Sequence, residues 1–432
     1  MMSAALRLAV LLALLAALSK ATLFRGGLGT PVAFTAGALL LCSLFAGKLA
    51  RSMGLPRLTG YILIGVALGP YALGFIPHEG VKGLELLKGL AVSLIALVAG
   101  TELHWGLIRR VGPRVAVLCA IVSGATLALT MGAMLLLKPW LPFLAPLTWP
   151  QALCVSALVA SVVVSFSPSV TIALVQETEA RGTFTEFLMS MVIIGDLFVM
   201  VLFAVATGVT RASFGAGLDV ASLLGGVGWE LFGSVALGGV LGVALLVYVR
   251  TVQRELSLFL VALCFAAAEG GSHLHLSPLL ITLSAGALIA NLDARTGERI
   301  NAEIRYAGTP IFALFFAAAG AGLHLDALRV VGPAAVLLVG ARALAIWFSC
   351  SRFAPREDPR LRKLLWMGLI SQAGVTFGLA SLVARTFPTF GAQVEVLIVA
   401  MVTLHELVGP ILTRRALTRA GEARSEAASE AV

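Results

Sequence analysis

Ala99 to Pro113 reads AGTELHWGLIRRVGP, and Ala319 to Pro333 reads AGAGLHLDALRVVGP; eight of these 15 positions are identical at an offset of 220. A weaker match at nearly the same offset pairs Leu55–Gly69 with Leu276–Ala290, where Leu, Leu and Gly coincide. Outward from these stretches, apolar runs of about 17–25 residues recur from one end of the chain to the other. The 432 residues are 59% hydrophobic and only 12% charged, with a mean hydropathy of +0.99. A soluble fold of this length cannot hide that much apolar surface, so the composition predicts an all-α polytopic membrane protein. Counting from residue 33 gives 13 spans: roughly 33–52, 58–76, 85–103, 114–137, 150–176, 183–208, 223–249, 255–272, 276–292, 306–324, 330–350, 362–385 and 392–413. Seven of them separate the matching points of the repeat. An odd number turns the second copy upside down, and inverted repeats are the architecture of secondary transporters with alternating access.

Short linkers predict one transmembrane domain over 33–415, followed by a short polar cytoplasmic tail, 416–432. Basic residues concentrate in loops of one parity, among them Arg109, Arg110, Arg250, Arg254 and the cluster from Arg352 to Lys363. That asymmetry puts the C-terminus in the cytoplasm. Residues 1–25 read as a signal peptide or an extra N-terminal helix. The net charge of +9 is spread over short loops and is not a nucleic-acid patch. Cys42, Cys119, Cys154, Cys264 and Cys350 all fall in apolar runs without paired spacing and read as small core residues. No nucleophile–base pattern, metal spacing or phosphate loop stands out, so neither an enzyme nor a cofactor is indicated.

Two intramembrane charges stand out. Asp196 is tenth in the apolar run Phe187 to Ala206, which holds no other carboxylate. A carboxylate at the bilayer centre costs ~2.5–3.5 kcal/mol on the insertion scale and marks a functional site by default. It can hold a proton or a small cation but not both, which is the elementary requirement for exchange; the alternative is a structural countercharge to Arg342. Arg342 is tenth in the run Pro333 to Cys350 and needs compensation, from Asp196 or from the carbonyls of broken helices.

Two helices are predicted to break. In Ser165-Phe166-Ser167-Pro168-Ser169 the proline removes one helical hydrogen bond and obstructs another. At an offset of 205, Ser371-Gln372-Ala373-Gly374-Val375-Thr376 repeats the Val-Thr of Val170-Thr171, with Gly374 as a second break. Irregular backbone at membrane depth is tolerated only beside protein or a cavity, and half-helix ends there attract ions. Ser165, Ser167 and Ser169 are candidate lesser ligands beside Asp196, which would be the metal ligand for Na⁺ or K⁺, since hard cations want oxygen. His104 and His324 occupy equivalent repeat positions, where they are either pH-sensing or interfacial. Glu102, Glu186, Glu269, Glu395 and Glu406 fall near predicted span ends, and Glu406 is an accessory candidate.

Leu55 to Pro70, LPRLTGYILIGVALGP, resembles the second-helix signature of the monovalent cation:proton antiporters, the cation:proton antiporter-2 branch especially. The resemblance continues through Ser165–Ser169, the aspartate helix, Phe315-Phe316-Ala317-Ala318-Ala319-Gly320, Arg342, Gln372-Ala373-Gly374 and Glu406-Leu407-Val408-Gly409-Pro410. It implies a dimerisation scaffold, an elevator-like core with crossed broken helices, ion and proton binding at Asp196, and a functional basic residue at Arg342. Relatives often carry Asp, Asn or Gln before the aspartate, where this chain has Gly195, and some carry an acid at Ser167. One carboxylate instead of two implies a 1:1 electroneutral exchange. The expected protein is therefore a multi-pass bacterial inner-membrane antiporter, a homodimer in the lipid bilayer, exchanging Na⁺ or K⁺ for H⁺ at a single buried Asp196. An organic-anion carrier and a non-transporting membrane sensor on the same scaffold are the alternatives.

Overall fold

A computed structural model of the chain describes residues 32–101, 103, 105–215, 220–252, 254–323, 325–372 and 374–423. Among them no strand occurs. In chain order the α-helices are α1 (Val32–Ser52), α2 (Arg57–Leu68), α3 (His78–Lys82), α4 (Glu85–Thr101), α5 (Trp105–Leu136), α6 (Trp149–Val163), α7 (Pro168–Glu177), α8 (Thr183–Ser213), α9 (Val220–Thr251), α10 (Leu256–His273), α11 (Pro278–Leu292), α12 (Ala294–Ala321), α13 (Leu325–Phe353), α14 (Pro359–Gly368), α15 (Gly374–Thr386) and α16 (Gly391–Arg419). Each of the 13 predicted stretches coincides with one helix or one interrupted pair: 150–176 with α6 and α7, and 362–385 with α14 and α15. Nine helices among the described residues are long and apolar enough to cross a membrane, or ten with the bent α12. Length and composition therefore establish a polytopic fold but not thirteen crossings.

Two boundaries differ from the sequence reading. The polar stretch 294–304, predicted as a linker, is the first arm of α12, bent by 61° from the arm Gly308–Ala321. Asp293 starts it by accepting from Thr296 N at 3.2 Å and from its hydroxyl at 3.1 Å, which satisfies a donor the first turn leaves free. The last helix does not end near 413 but continues to Arg419, into the predicted tail. Residues 1–25, Glu102, His104, His324 and 424–432 lie outside the described residues.

The helices group into two units. Unit 1 holds residues 1–106 and 229–323, and unit 2 holds 107–228 and 324–432. The chain passes from unit 1 to unit 2 just after Gly106 and again just after Leu323, both inside or beside the repeated segment. Each copy of the repeat therefore supplies half of each unit: α1, α2 and α4 against α10, α11 and α12 in unit 1, and α5 to α8 against α13 to α16 in unit 2.

Packing inside unit 1 carries the repeat into three dimensions. Gly65 on α2 lies so close to α12 that an added Cβ would fall on the Ala317 carbonyl; Gly286 on α11 lies the same way against the Leu97 carbonyl of α4. Gly65 and Gly286 are 221 apart, and Leu97 and Ala317 are 220 apart. The reverse contacts match as well, Gly320 on the Ile62 carbonyl and Gly100 on the Leu283 carbonyl. Only a missing side chain permits backbone contact this close. In unit 2 a core of Val155, Leu158, Val159, Val162, Leu338, Val383, Leu397, Ile398 and Met401 binds α6 to α13, α15 and α16. Four of the five cysteines are buried and the fifth, Cys154, is half-buried, all as free thiols.

Candidate functional site

Both predicted breaks are present, and both lie in unit 2. Helix α6 ends at Val163, and Pro168 opens α7 at its first position, where a missing N–H costs nothing. Ser167 is the cap: its hydroxyl accepts from Val170 N at 3.3 Å. Helix α14 ends at Gly368 and Gly374 opens α15. Each ending leaves carbonyls without the N–H one turn ahead, at the negative pole of a half-helix.

Arg342 on α13 answers both. Its Nε donates to Val163 O at 2.8 Å and its Nη2 to Ser165 O at 2.8 Å, across the first break. Its Nη1 donates to Ile370 O at 2.8 Å and its Nη2 to Leu369 O at 3.2 Å, across the second. The side chain is fully buried, and the Phe166 ring lies with its centroid 6.0 Å from the guanidinium carbon. Of the two kinds of compensation open to Arg342, the structure contains the carbonyls. Among the described residues it forms no ion pair with Asp196, because the planar fork is spent on two helix ends. Gln372 reinforces the clamp, Nε2 donating to Val163 O at 2.8 Å and to Ser165 O at 3.3 Å. The hydroxyls of Ser165 and Thr376 share a hydrogen bond of 2.5 Å, one break to the other. Of the hydroxyls expected to act as ligands, that of Ser165 joins the two breaks and that of Ser167 caps α7, while Ser169 lies buried in the first turn of α7.

Asp196 has no such engagement. It sits in the interior of α8, 2% exposed, and its Oδ1 has no hydrogen-bond partner among the described residues. The residue before it, Gly195, lies directly against Phe166, and a Cβ there would overlap the ring. The aromatic side chain of the first break therefore fills the space a second acid at 195 would need. Buried acceptors left without donors are also found at Gln372 Oε1 and Glu406 Oε1.

Glu406 departs from the sequence reading. Its sequence position suggests a span end, but α16 runs well past it, and the side chain is 4% exposed in the middle of the helix. Glu186 and Glu269 are exposed, and Glu395 accepts from Ser381 at 2.5 Å. The residue that sequence reasoning missed is Glu422. Its carboxylate accepts from Phe184 N at 3.0 Å and Thr185 N at 2.8 Å, capping the very helix that carries Asp196. Arg360 pairs with it at 3.1 Å, with Asp358 at 2.8 Å, and donates to Ala420 O at 3.0 Å. Asp358 is held below the usual carboxylate range, chiefly by the Arg360 side chain. A lone Glu in a polar tail gives no sequence signal for such a cap.

Residues 36–418 match the family model described as sodium/hydrogen exchanger, transmembrane. The human transmembrane and coiled-coil domain-containing protein 3 is 26% identical over 415 residues, 88% of this chain and 57% of that protein. An uncharacterised protein from the phaC 3′ region of Methylorubrum extorquens is 32% identical over 94 residues, 22% of this chain and 33% of that protein. The chain thus spans 57% or less of the length of these curated relatives. Among solved structures, the sodium proton antiporter MjNhaP1 of Methanocaldococcus jannaschii at pH 8 superposes with a TM-score of 0.63 at 17% identity, covering 90% of this chain and 97% of that one. An electron-microscopy structure of the same protein gives 0.65 at 16% identity, with 90% and 98% covered.

Proposed function

The chain belongs to the sodium/hydrogen exchanger family over residues 36–418, and from that premise we propose that it is a secondary antiporter exchanging Na⁺ or K⁺ for H⁺ by alternating access at Asp196. One observation carries the reading: a mid-helix carboxyl, 2% exposed and without a donor on Oδ1, beside a broken helix pair. Such a group is tolerated in a membrane only when a proton or a cation compensates it. Mutual exclusion at one carboxyl couples the two fluxes without further machinery.

Arg342 then stabilises the breaks instead of trading places with the cation, since its donors neutralise both half-helix C-terminal ends. With those ends taken, the cation is left to Asp196 and neighbouring oxygens. The same engagement opposes the organic-anion reading, which needs a free guanidinium. The placement follows the sequence: a multi-pass protein of the bacterial inner membrane, C-terminus cytoplasmic, working as a homodimer. Exposed apolar side chains on α9 of unit 1, Trp229, Phe232, Val240 and Val247, support a lipid or subunit face there.

The test is Na⁺- or K⁺-driven proton efflux from proteoliposomes. Wild type should show it over a range of pH, and Asp196→Asn should abolish it while remaining folded. Full activity in that variant would sink the mechanism.

A further inference from the structure

Unit 2 contains a second buried carboxyl in the middle of a long helix, Glu406 of α16. Phe166 and Ser371 are 205 apart, the offset that relates the two breaks. Each touches a glycine on the long helix that follows its own broken pair: Phe166 meets Gly195 on α8, and Ser371 meets Gly409 on α16. A buried acid lies within one turn of each glycine. Asp196 follows Gly195 directly, and Glu406 precedes Gly409 by three residues, which puts Glu406, though not Asp196, on the face of its glycine. Glu406 is 4% exposed, its Oε1 has no donor, and the Ser371 hydroxyl at this second contact is also without a partner among the described residues.

The charged groups around Glu406 do not neutralise it. Helix α16 packs against α6, α7, α13, α14 and α15. On those helices Arg342 of α13 is the charge at mid-helix, and four of its five N–H donors go to the carbonyls. Asp326, Arg329 and Arg352 of α13, Glu177 of α7, Arg385 of α15 and Arg360, Arg362 and Lys363 of α14 stand in end turns or on the short first half of a broken pair. His405, next to Glu406, is also buried. An acid with no cation and no donor is compensated by a proton of its own.

We propose that Glu406 is a second proton-binding carboxyl of the transport cycle, so that two protons move against one cation. The balance is simple: each carboxylate takes up one H⁺ on one side and releases it on the other, and only Asp196 exchanges its proton for the cation. This rests on the antiport reading of Asp196 and changes its charge bookkeeping, because the exchange becomes electrogenic where a single acid would make it neutral.

The test has two arms on the full-length protein. In Na⁺-loaded proteoliposomes with an imposed membrane potential, wild type should respond to the potential. Glu406→Gln should still exchange, with a two-fold lower H⁺/Na⁺ ratio and no response to potential, and Glu406→Asp should recover both. An unchanged ratio in Glu406→Gln overturns the proposal. Infrared titration of the purified protein reads the carboxyl itself: the C=O band of a protonated acid should titrate in Asp196→Asn, where Asp196 contributes none, and be missing in the double variant Asp196→Asn/Glu406→Gln. An unchanged band in the double variant also overturns it. Absence of cation-driven flux in wild type would refute the antiport reading alone, and the infrared arm would still decide whether Glu406 holds a proton.

Discussion

Gly195 is where a family pattern meets local packing. The resemblance implies a missing second acid at that position; in the structure the Phe166 ring occupies the place of any side chain at 195. Gly195→Ala should therefore destabilise by about 1–3 kcal/mol through overpacking, although alanine is the better helix former by ~1 kcal/mol. On a Phe166→Ala background, itself destabilised by the lost ring, the same Gly195→Ala change should cost much less. Thermal unfolding of the two singles and the double variant measures the coupling, and additive effects would remove Phe166 as the cause. Arg342 is the complementary case. Arg342→Lys keeps a charge but not the fork; its three donors sit on one nitrogen, so at least one of the four carbonyls loses its bond to residue 342, at roughly 1–3 kcal/mol. A marked fall in melting temperature is expected even for this conservative change. Wild-type stability in Arg342→Lys would mean that charge alone suffices.

At the scale of elements, the end of the chain holds the start of α8. Gly182 precedes that helix at φ 150°, a conformation that favours glycine, and Glu422 takes the cap. Glu422→Ala should cost about 1 kcal/mol, the usual loss of a cap. Asp358, which caps α14 and grips Arg360, adds a pH dependence to the same network. Its depressed folded value means its contribution is complete above the unfolded value of about 3.9 and disappears as pH falls through the lower folded one. The stability gap between wild type and Asp358→Ala, followed by unfolding at stepped pH, should close below about pH 4. Sequence reading found the helices because apolar runs and prolines are local signals. It found both breaks, Pro168 through its chemistry and Gly374 through the repeat. It could not find Glu422, the donors of Arg342 or the depth of Glu406, because each depends on chain segments far apart in sequence. The α12 arm at 294–304 escaped for another reason: its charges suggested a loop, while its cap at Asp293 was overlooked.

For the whole molecule, the duplicated stretch has a physical counterpart in the packing of unit 1. In unit 1 it is a pair of glycine contacts, Gly65 on Ala317 and Gly286 on Leu97, related by the same offset of 220–221 residues as the sequence repeat. If two copies of one structural unit build unit 1, the two contacts should be energetically equivalent. Gly65→Ala and Gly286→Ala both place a methyl against backbone, which cannot swing aside as a side chain can, so each should lose about 1–3 kcal/mol or more. Gly124→Ala on α5 is the control: nothing lies within 4 Å of the added carbon, so the gain in helix propensity, up to ~1 kcal/mol, should appear undiminished. Melting temperatures of the three variants in one detergent test this directly. Comparable losses at 65 and 286 beside a neutral or stabilised 124 are expected. A harmful Gly65→Ala with a silent Gly286→Ala would mean that the two halves of unit 1 pack by different rules, and that the repeat survives in sequence more than in energetics.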